Sequence, residues 1–229
     1  MEVPSTVPVM ILQNAILFPQ ALVPLYIFEP RYRRMLTDVL EGDRVFAIAR
    51  RKPDVQQERA EKVAGLGLVR ACVTHPDGTS HLVIVGLSRV ELLQTVRYKP
   101  YRVCRIQPWQ PTEEKDETVQ ALAVELMEVV HERLKEFPNG LVAELSQLGM
   151  SSDDTQKTAA EVFQNLLDHL HAINDPEQVV DLVSAALLAD PTQRQIILAT
   201  RPLETRMRYL LRFLLTPQGT FDDFNGDES

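Results

Sequence analysis

Residues 7–40, VPVMILQNAILFPQALVPLYIFEPRYRRMLTDVL, contain two short apolar runs followed by a helical pattern. The runs Val7–Leu12 and Leu22–Ile27 have the length and composition of β-strands, and proline and polar residues separate them. After them the apolar residues adopt the spacing i, i+3, i+4, i+7, i+8, with Pro30 in the first turn and Gly42 just past the end. The apolar stripe is Tyr32, Met35, Leu36, Val39 and Leu40. This stretch predicts two strands and a helix whose apolar side packs on a sheet.

The pattern of short, β-branched runs separated by Pro, Gly and Asp continues as far as residue 107. The sequence His75-Pro76-Asp77-Gly78 has the turn residues of a hairpin, since proline presets φ and glycine accepts a left-handed conformation. The first half of the chain is therefore predicted to be a compact β domain. Its further strands are predicted at Val45–Ala49, Leu66–Thr74, Leu82–Gly86, Val90–Val96 and Tyr101–Gln107.

After Pro108-Trp109-Gln110-Pro111-Thr112 the apolar period becomes helical. Val119, Leu122, Leu126, Met127, Val130 and Leu134 mark one face of a long helix. Further helices are predicted over Thr155–His171, behind the Asp175-Pro176 and Asp190-Pro191 pairs, and over Leu203–Leu215. The predicted fold class is α+β, with a β barrel carrying one helix over 1–111, a helical bundle over 112–216 and a flexible acidic tail over 217–229. Because no long linker joins the halves, we expect them to pack together.

Composition separates the two halves further. Residues 1–111 contain 15 Lys and Arg against 10 Asp and Glu (+5), whereas residues 112–229 contain 9 against 22 (−13). Mean hydropathy is −0.13, and the sequence has neither a signal-like amino terminus nor a run of about 20 apolar residues. These features predict a globular cytoplasmic protein that does not span a membrane. Cys72 and Cys104 are predicted to be small core residues, because they lie in strand-like runs without CxxC spacing.

Several motifs, in order and spacing, resemble the amino-terminal substrate-recognition domain of Lon proteases. The motifs are Pro8–Leu12, Ile16–Pro19, Val23–Leu25, Ile27–Tyr32, Gly65–Val69, Pro76–Thr79 and Leu82–Arg89, followed more weakly by Asn174–Glu177 and the helix around Leu210. The resemblance implies a PUA-like barrel followed by a helical bundle. It also implies a module that engages unfolded or tagged polypeptides.

The resemblance does not extend to the chemistry of Lon. None of the nine glycines is followed by lysine, so the GxxxxGK[ST] loop of an ATPase is absent from the sequence. No segment resembles the neighbourhoods of the Lon peptidase serine and lysine. The five histidines form no metal motif by spacing, and no cofactor fingerprint is found. We therefore expect a stand-alone binding module that is not an enzyme and has no cofactor.

The candidate peptide-binding residues lie in and just after the opening signature. They are Phe18, Tyr26, Phe28, Arg31 and Tyr32. The aromatic side chains could line a groove for apolar peptide segments, although packing in the core explains each of them equally well. Arg31 could contact an acidic peptide or a phosphate, although a solvated helix face is the more common role of such an arginine.

The leading hypothesis is a non-catalytic module that holds exposed apolar segments of unfolded or partly folded polypeptides. A second hypothesis is an RNA- or small-ligand-binding barrel, suggested by the basic clusters Arg31–Arg34 and Arg50–Lys52, although the acidic second half disfavours nucleic acid. A third is an adaptor that docks on a separate ATPase or protease subunit.

Overall fold

The computed structural model of the chain describes residues 3–53, 55, 57–110, 117–147, 164–165 and 167–216. Its elements follow the predicted order of strands and then helices. They are β1 (Thr6–Leu12), β2 (Leu22–Ile27), α1 (Pro30–Glu41), β3 (Val45–Arg50), β4 (Val63–Thr74), β5 (Ser80–Arg97), β6 (Arg102–Pro108), α2 (Glu117–Gln147), α3 (Pro176–Leu187), α4 (Pro191–Ala199) and α5 (Leu203–Leu215). Residues 164–165 and 167–172 are also helical.

The strands form one mixed sheet in the order β2-β5-β4-β3-β1-β6, and β6 pairs in addition with β5. The pairings β5–β4–β3–β1–β6–β5 therefore complete a circuit, in which β1 and β3 are parallel and the other neighbours antiparallel. The circuit closes only through the second half of β5, because β6 pairs with residues 90–97 of that strand. Along the first half of β5 lies β2, which within the described residues pairs with no other strand, so the barrel is not strictly closed and β2 keeps one free edge. The predicted α+β fold, with a β barrel followed by helices, is confirmed.

The prediction of two separate strands at Leu82–Gly86 and Val90–Val96 is wrong, because both belong to the 18-residue strand β5. Gly86 and Ser88 pair with the consecutive residues Gly67 and Leu66 of β4, which leaves Leu87 as the extra residue of a β-bulge. A bulge bends a strand without ending it. Bending lets β5 pair with β2 through its first half and with β6 through its second.

Gly86 is required by a close backbone approach. Its N–H donates to the carbonyl oxygen of Ala21 at 2.9 Å, and its own carbonyl accepts from the N–H of Gln20 at 2.8 Å. A Cβ atom on Gly86 would lie 1.9 Å from the carbonyl oxygen of Phe18. The segment before β2 is thus held against the bulge in a way that only glycine permits.

We expect Gly86→Ala to lower the free energy of unfolding by about 1–3 kcal/mol or more, because the added carbon overlaps backbone atoms that have no rotamer to change. Urea denaturation followed by circular dichroism measures this change. Ser88→Ala, two residues along the same strand, adds no atom and should change the free energy of unfolding by less than about 0.5 kcal/mol. Equal stability of the Gly86→Ala and unmodified proteins would contradict the close approach.

Helix α1 packs on the barrel as its stripe predicts. The side chains of Tyr32, Met35, Leu36 and Val39 are buried, and Leu40 packs against the same cluster. The Tyr32 hydroxyl donates to the carbonyl oxygen of Ile11 and accepts from the N–H of the same residue, both at 3.1 Å. Tyr32 therefore ties α1 to strand β1.

The helical half packs directly on the barrel. One hydrophobic cluster contains Ile16, Phe18, Ala21 and Val63 of the barrel half together with buried residues of α2, α3, α4 and α5. The prediction that the halves pack together is confirmed. The Asp175 and Asp190 carboxylates accept from the N–H groups of residues 177 and 192 at 3.1 and 2.7 Å, so both predicted helix caps are present.

Some predictions fall outside the described residues. They are the acidic tail over 217–229, most of the helix predicted over Thr155–His171, and residues 111–116 at the proposed domain boundary. The division into 1–111 and 112–216 therefore stays a prediction. Among the described helices, none is both long enough and apolar enough to cross a lipid bilayer.

Candidate functional site

The outer face of strands β2, β5 and β4 is apolar and uncovered. Register places Tyr26 of β2 opposite His81 of β5, and His81 opposite Val73 of β4, so the three side chains form a row across the sheet. Tyr26 is 50% exposed, Phe28 59% and Val73 62%. We call this surface the outer-sheet patch, formed by Leu22, Pro24, Tyr26, Phe28, Ala71, Val73, His81 and Val83.

Ring contacts organise the patch. The ring of Tyr26 stacks on Phe28 with centroids 5.7 Å apart and on His81 with centroids 4.7 Å apart. A depression of about 410 Å³ lies over the same strands, bordered by Pro24, Tyr26 and Val73 among others. Single exposed apolar residues are ordinary, but a contiguous apolar face is typical of an interaction surface. The outer-sheet patch contains no Asp, Glu, Lys or Arg.

The free edge of β2 is interrupted by a proline. Because the N–H of Gly86 donates to the carbonyl of Ala21, the alternation of an antiparallel pair turns the backbone groups of Val23 and Leu25 toward β5. Pro24 then faces the free edge and offers no N–H there. Proline at such a position discourages the addition of another strand. A ligand would therefore contact the side chains of the outer-sheet patch and find few hydrogen-bonding groups on the backbone of β2.

Of the predicted peptide-binding residues, two are exposed in the structure and two are buried. Tyr26 and Phe28 lie together on the outer-sheet patch, as a binding role requires. Phe18 has no exposed surface and Tyr32 is only 5% exposed, so both side chains are buried in this conformation. Burial raises the pKa of Tyr32, which keeps its hydroxyl protonated and able to donate to Ile11. In this structure Phe18 and Tyr32 are therefore core residues, and a binding role for any of the five candidates stays a prediction.

Arg31 is engaged in contacts within the protein. Its Nε lies 2.9 Å from a carboxylate oxygen of Glu29, and its Nη1 lies 2.8 Å from one of Glu58. The guanidinium carbon also lies 4.4 Å from the centroid of the Tyr32 ring. Two carboxylates and an aromatic ring thus compensate the positive charge of Arg31. These contacts stabilise the connection between β2 and α1 and leave less of the guanidinium available to a ligand.

Two other arginines of the basic clusters also have partners. Arg34 pairs with Asp38 at 3.2 Å, and Arg50 donates to the Thr192 hydroxyl at 2.9 Å. A nucleic-acid surface needs cations that are free to meet phosphates. These contacts reduce the support for the RNA-binding hypothesis.

A buried ionic cluster, which sequence reasoning missed, joins the two halves. Arg89 of β5 contacts Asp181 of α3 through both Nη atoms, and Arg206 of α5 contacts Glu177 at 2.7 Å and Asp181 at 3.7 Å. The side chains of Arg89, Asp181 and Arg206 are each at most 4% exposed. The available signal was the single charged residue within each of the apolar runs VIVGLSRV and VVDLV. We call Arg89, Glu177, Asp181 and Arg206 the junction cluster.

The junction cluster borders a cavity of about 590 Å³ between the barrel and the helices, which Trp109 and Arg201 also line. The Arg201 guanidinium lies 4.6 Å from the centroid of the Trp109 ring. In the described part of the chain, no three His, Cys, Asp or Glu side chains converge as a metal site. Both cysteines are free thiols. The predicted core position is confirmed for Cys104, which is buried, while Cys72 is half-buried and packs against the core.

Fold and surface together define the class as an α+β barrel-and-helix protein with an uncovered apolar sheet face. Residues 6–216 match the family described as the ATP-dependent protease La (LON) substrate-binding domain. The chain belongs to this family, as its sequence motifs predicted.

Individual relatives agree with this assignment. The chain is 22% identical to a Lon protease of Desulfosudis oleivorans over 218 residues, which are 93% of this chain and 24% of the relative. It is 31% identical to Lon protease 2 of Sorangium cellulosum over 141 residues, 59% of this chain and 17% of the relative. The chain thus spans about a quarter or less of the length of the curated relatives it matches.

Solved structures show the same fold. The N-terminal domain of the Mycobacterium avium complex Lon protease superposes with a TM-score of 0.66 at 18% identity, covering 91% of this chain and 97% of that one. The Lon N-terminal domain protein from Xanthomonas campestris gives a TM-score of 0.60 at 18% identity, covering 92% and 99% of the two chains. Barrel and helices therefore occur together in other proteins of this fold.

Proposed function

We propose that this protein binds exposed apolar segments of unfolded or partly folded polypeptides on the outer-sheet patch, without covalent chemistry. The observation that carries the proposal is the uncovered row Tyr26–His81–Val73, extended by Phe28, on three adjacent strands. Membership of a substrate-binding family supports a polypeptide as the ligand. Unfolded chains expose apolar side chains, and those side chains are what an uncharged, aromatic face can bury.

The expected affinity is modest. Burial of apolar surface contributes about 25 cal/mol per Å², and the cost of ordering a flexible client offsets much of it. Pro24 at the free edge also limits the backbone hydrogen bonds that an added strand would contribute. We therefore expect dissociation constants on the order of micromolar or weaker, and broad tolerance of client sequence.

We expect the double substitution Tyr26→Ser/Phe28→Ser to weaken binding of a fluorescently labelled unfolded polypeptide by roughly tenfold or more, because aromatic side chains dominate such interfaces. Fluorescence anisotropy measures the affinity, and circular dichroism verifies that the variant remains folded. Tyr98→Ser is the matched control, since Tyr98 is 68% exposed but follows the opposite end of β5. Full affinity in the double variant, or an equal loss in Tyr98→Ser, would overturn the proposed site.

The same assay separates polypeptide binding from the RNA alternative. Apolar burial depends weakly on ionic strength, whereas phosphate contacts weaken steeply as salt rises. We expect polypeptide binding to persist at high salt and short single-stranded RNA not to bind. RNA binding with a steep salt dependence, and no polypeptide binding, would favour the RNA-binding barrel.

The proposal extends to the setting in which the protein acts. We infer a cytoplasmic protein that is not itself an enzyme and that hands its bound client to an ATPase or protease, because the relatives that share its family are Lon proteases. A direct test is whether the purified chain accelerates degradation of an unfolded client by a Lon protease. The Tyr26→Ser/Phe28→Ser variant should not accelerate it.

A further inference from the structure

Two histidines face each other beside the turn of the β4–β5 hairpin. Nε2 of His75 and Nδ1 of His81 lie 2.8 Å apart, and the two rings meet edge to face with centroids 5.1 Å apart. His81 is exposed and His75 is partly exposed. The spacing of these histidines in the sequence matches no metal motif, since such motifs place ligands on a helix or a CxxC-like turn. Here the hairpin brings the two side chains together.

The hairpin holds His75 in place through its backbone. The N–H of His75 donates to the carbonyl of Thr79 at 2.8 Å, and the N–H of Gly78 donates to the carbonyl of His75 at 2.9 Å. The Asp77 carboxylate accepts from the N–H and the hydroxyl of Thr79 at 2.9 and 2.7 Å, while Gly78 has a φ of 79°. Several short-range hydrogen bonds therefore close the turn, and they fix the backbone position of His75.

His81 is oriented by a ring contact. The Tyr26 ring stacks on it from the neighbouring strand, with an interplanar angle of 30°. The hydroxyl groups of Thr74 and Ser80, one residue before each histidine, lie 3.0 Å apart and bridge the two strands. Both imidazoles are thus held close together before any ligand arrives, and each ring turns from the hydrogen bond toward the ion on binding.

The nitrogen separation matches one coordination geometry better than another. Two imidazole nitrogens, each about 2.0 Å from a metal ion and at right angles, lie about 2.8 Å apart, whereas tetrahedral ligands at that distance lie about 3.3 Å apart. Right-angled nitrogen ligands are typical of tetragonal Cu²⁺ and Ni²⁺. Nearby charges nearly balance, since the Arg33 guanidinium lies against Gly78 and the Asp77 carboxylate lies in the same turn.

We propose that His75 and His81 form a two-imidazole binding site for a divalent transition-metal ion of tetragonal preference, Cu²⁺ or Ni²⁺. The metal replaces the hydrogen bond between the rings. The proton of the donating nitrogen moves through solvent to the other nitrogen of its own ring, so both neutral imidazoles present a lone pair. Water completes the coordination. The site rests on the hairpin geometry and shares His81 with the outer-sheet patch, whereas His75 lies outside that patch.

The test is a titration of the full chain with CuSO₄ or NiCl₂, followed by isothermal calorimetry and, for copper, by electron paramagnetic resonance. We expect one equivalent to bind with a nitrogen-coordinated tetragonal spectrum. His75→Asn and His81→Asn should each abolish this event, and His131→Asn on α2 should leave it unchanged. MgCl₂ and CaCl₂ should not bind.

The proposal is overturned if the unmodified chain binds no metal, if either hairpin variant retains the one-equivalent event, or if His131→Asn loses it. Client binding by His75→Asn, measured in EDTA, keeps the two proposals distinguishable, because His75 lies outside the outer-sheet patch whereas His81 belongs to it. Loss of metal binding with unchanged client affinity in His75→Asn supports the metal site, because the loss cannot then arise from unfolding of the patch.

Discussion

Replacing Phe18 with alanine is expected to lower the free energy of unfolding by about 3–5 kcal/mol, whereas the same replacement at Phe28 should change it by less than about 1 kcal/mol. Phe18 has no exposed surface and belongs to the cluster shared by the barrel and the helices. Phe28 is 59% exposed. The two phenylalanines thus differ in burial, although the sequence placed both among the candidate binding residues.

Each alanine variant should change one property and leave the other nearly unchanged. Phe28→Ala should weaken the unfolded polypeptide's affinity with little change in the urea midpoint, while Phe18→Ala should shift the midpoint and leave the affinity of the folded fraction unchanged. Urea denaturation and fluorescence anisotropy on the same preparations measure both effects. A Phe18→Ala protein with unchanged stability and lost affinity would restore Phe18 to the binding site and refute its assignment to the core.

Asp181→Ala is expected to destabilise the fold by about 3–5 kcal/mol, because it leaves two buried guanidinium groups with a single remaining carboxylate in the junction cluster. Arg89 loses both of its contacts to Asp181, and Arg206 loses its carboxylate neighbour at 3.7 Å. An uncompensated charge out of contact with water costs more than an apolar cavity of similar size. The effect should therefore exceed that of removing an exposed ion pair.

Trp109 offers a local probe of this prediction. It is the only tryptophan of the chain, and it lines the cavity beside the junction cluster, so its fluorescence reports the barrel–helix contact. If the junction loosens first, the fluorescence transition of Asp181→Ala should precede the transition seen by circular dichroism. Glu204→Ala is the control, because the Arg208–Glu204 pair is 58% and 40% exposed and should contribute less than about 0.5 kcal/mol. Similar midpoints for Asp181→Ala and Glu204→Ala would contradict a structural role of the junction cluster.

Local sequence signals predicted most of the elements because each depends on residues close in the chain. The stripe of α1, the bounds of β2 and the Asp-Pro caps of α3 and α4 agree with the structure, since periodicity and capping act within a few residues. The prediction of two strands where the structure has the single strand β5 was wrong because a bulge depends on residues distant in the chain. Gly86-Leu87-Ser88 has the composition of a turn, and only the partner strands β2, β4 and β6 show that it is a bulge within one strand.

The sequence by itself determined the order of strands and helices, the hairpin at residues 75–78 and, through its motifs, the family. Tertiary structure alone decided which side of each element is covered. Phe18, Tyr26 and Phe28 have similar apolar side chains, and burial depends on which distant residues pack over them. The same holds for the pairing of Arg89 with Asp181 across 92 residues and of His75 with His81 across a turn. Solvation and charge pairing are set by neighbours in space, and a single sequence specifies those neighbours only through the completed fold.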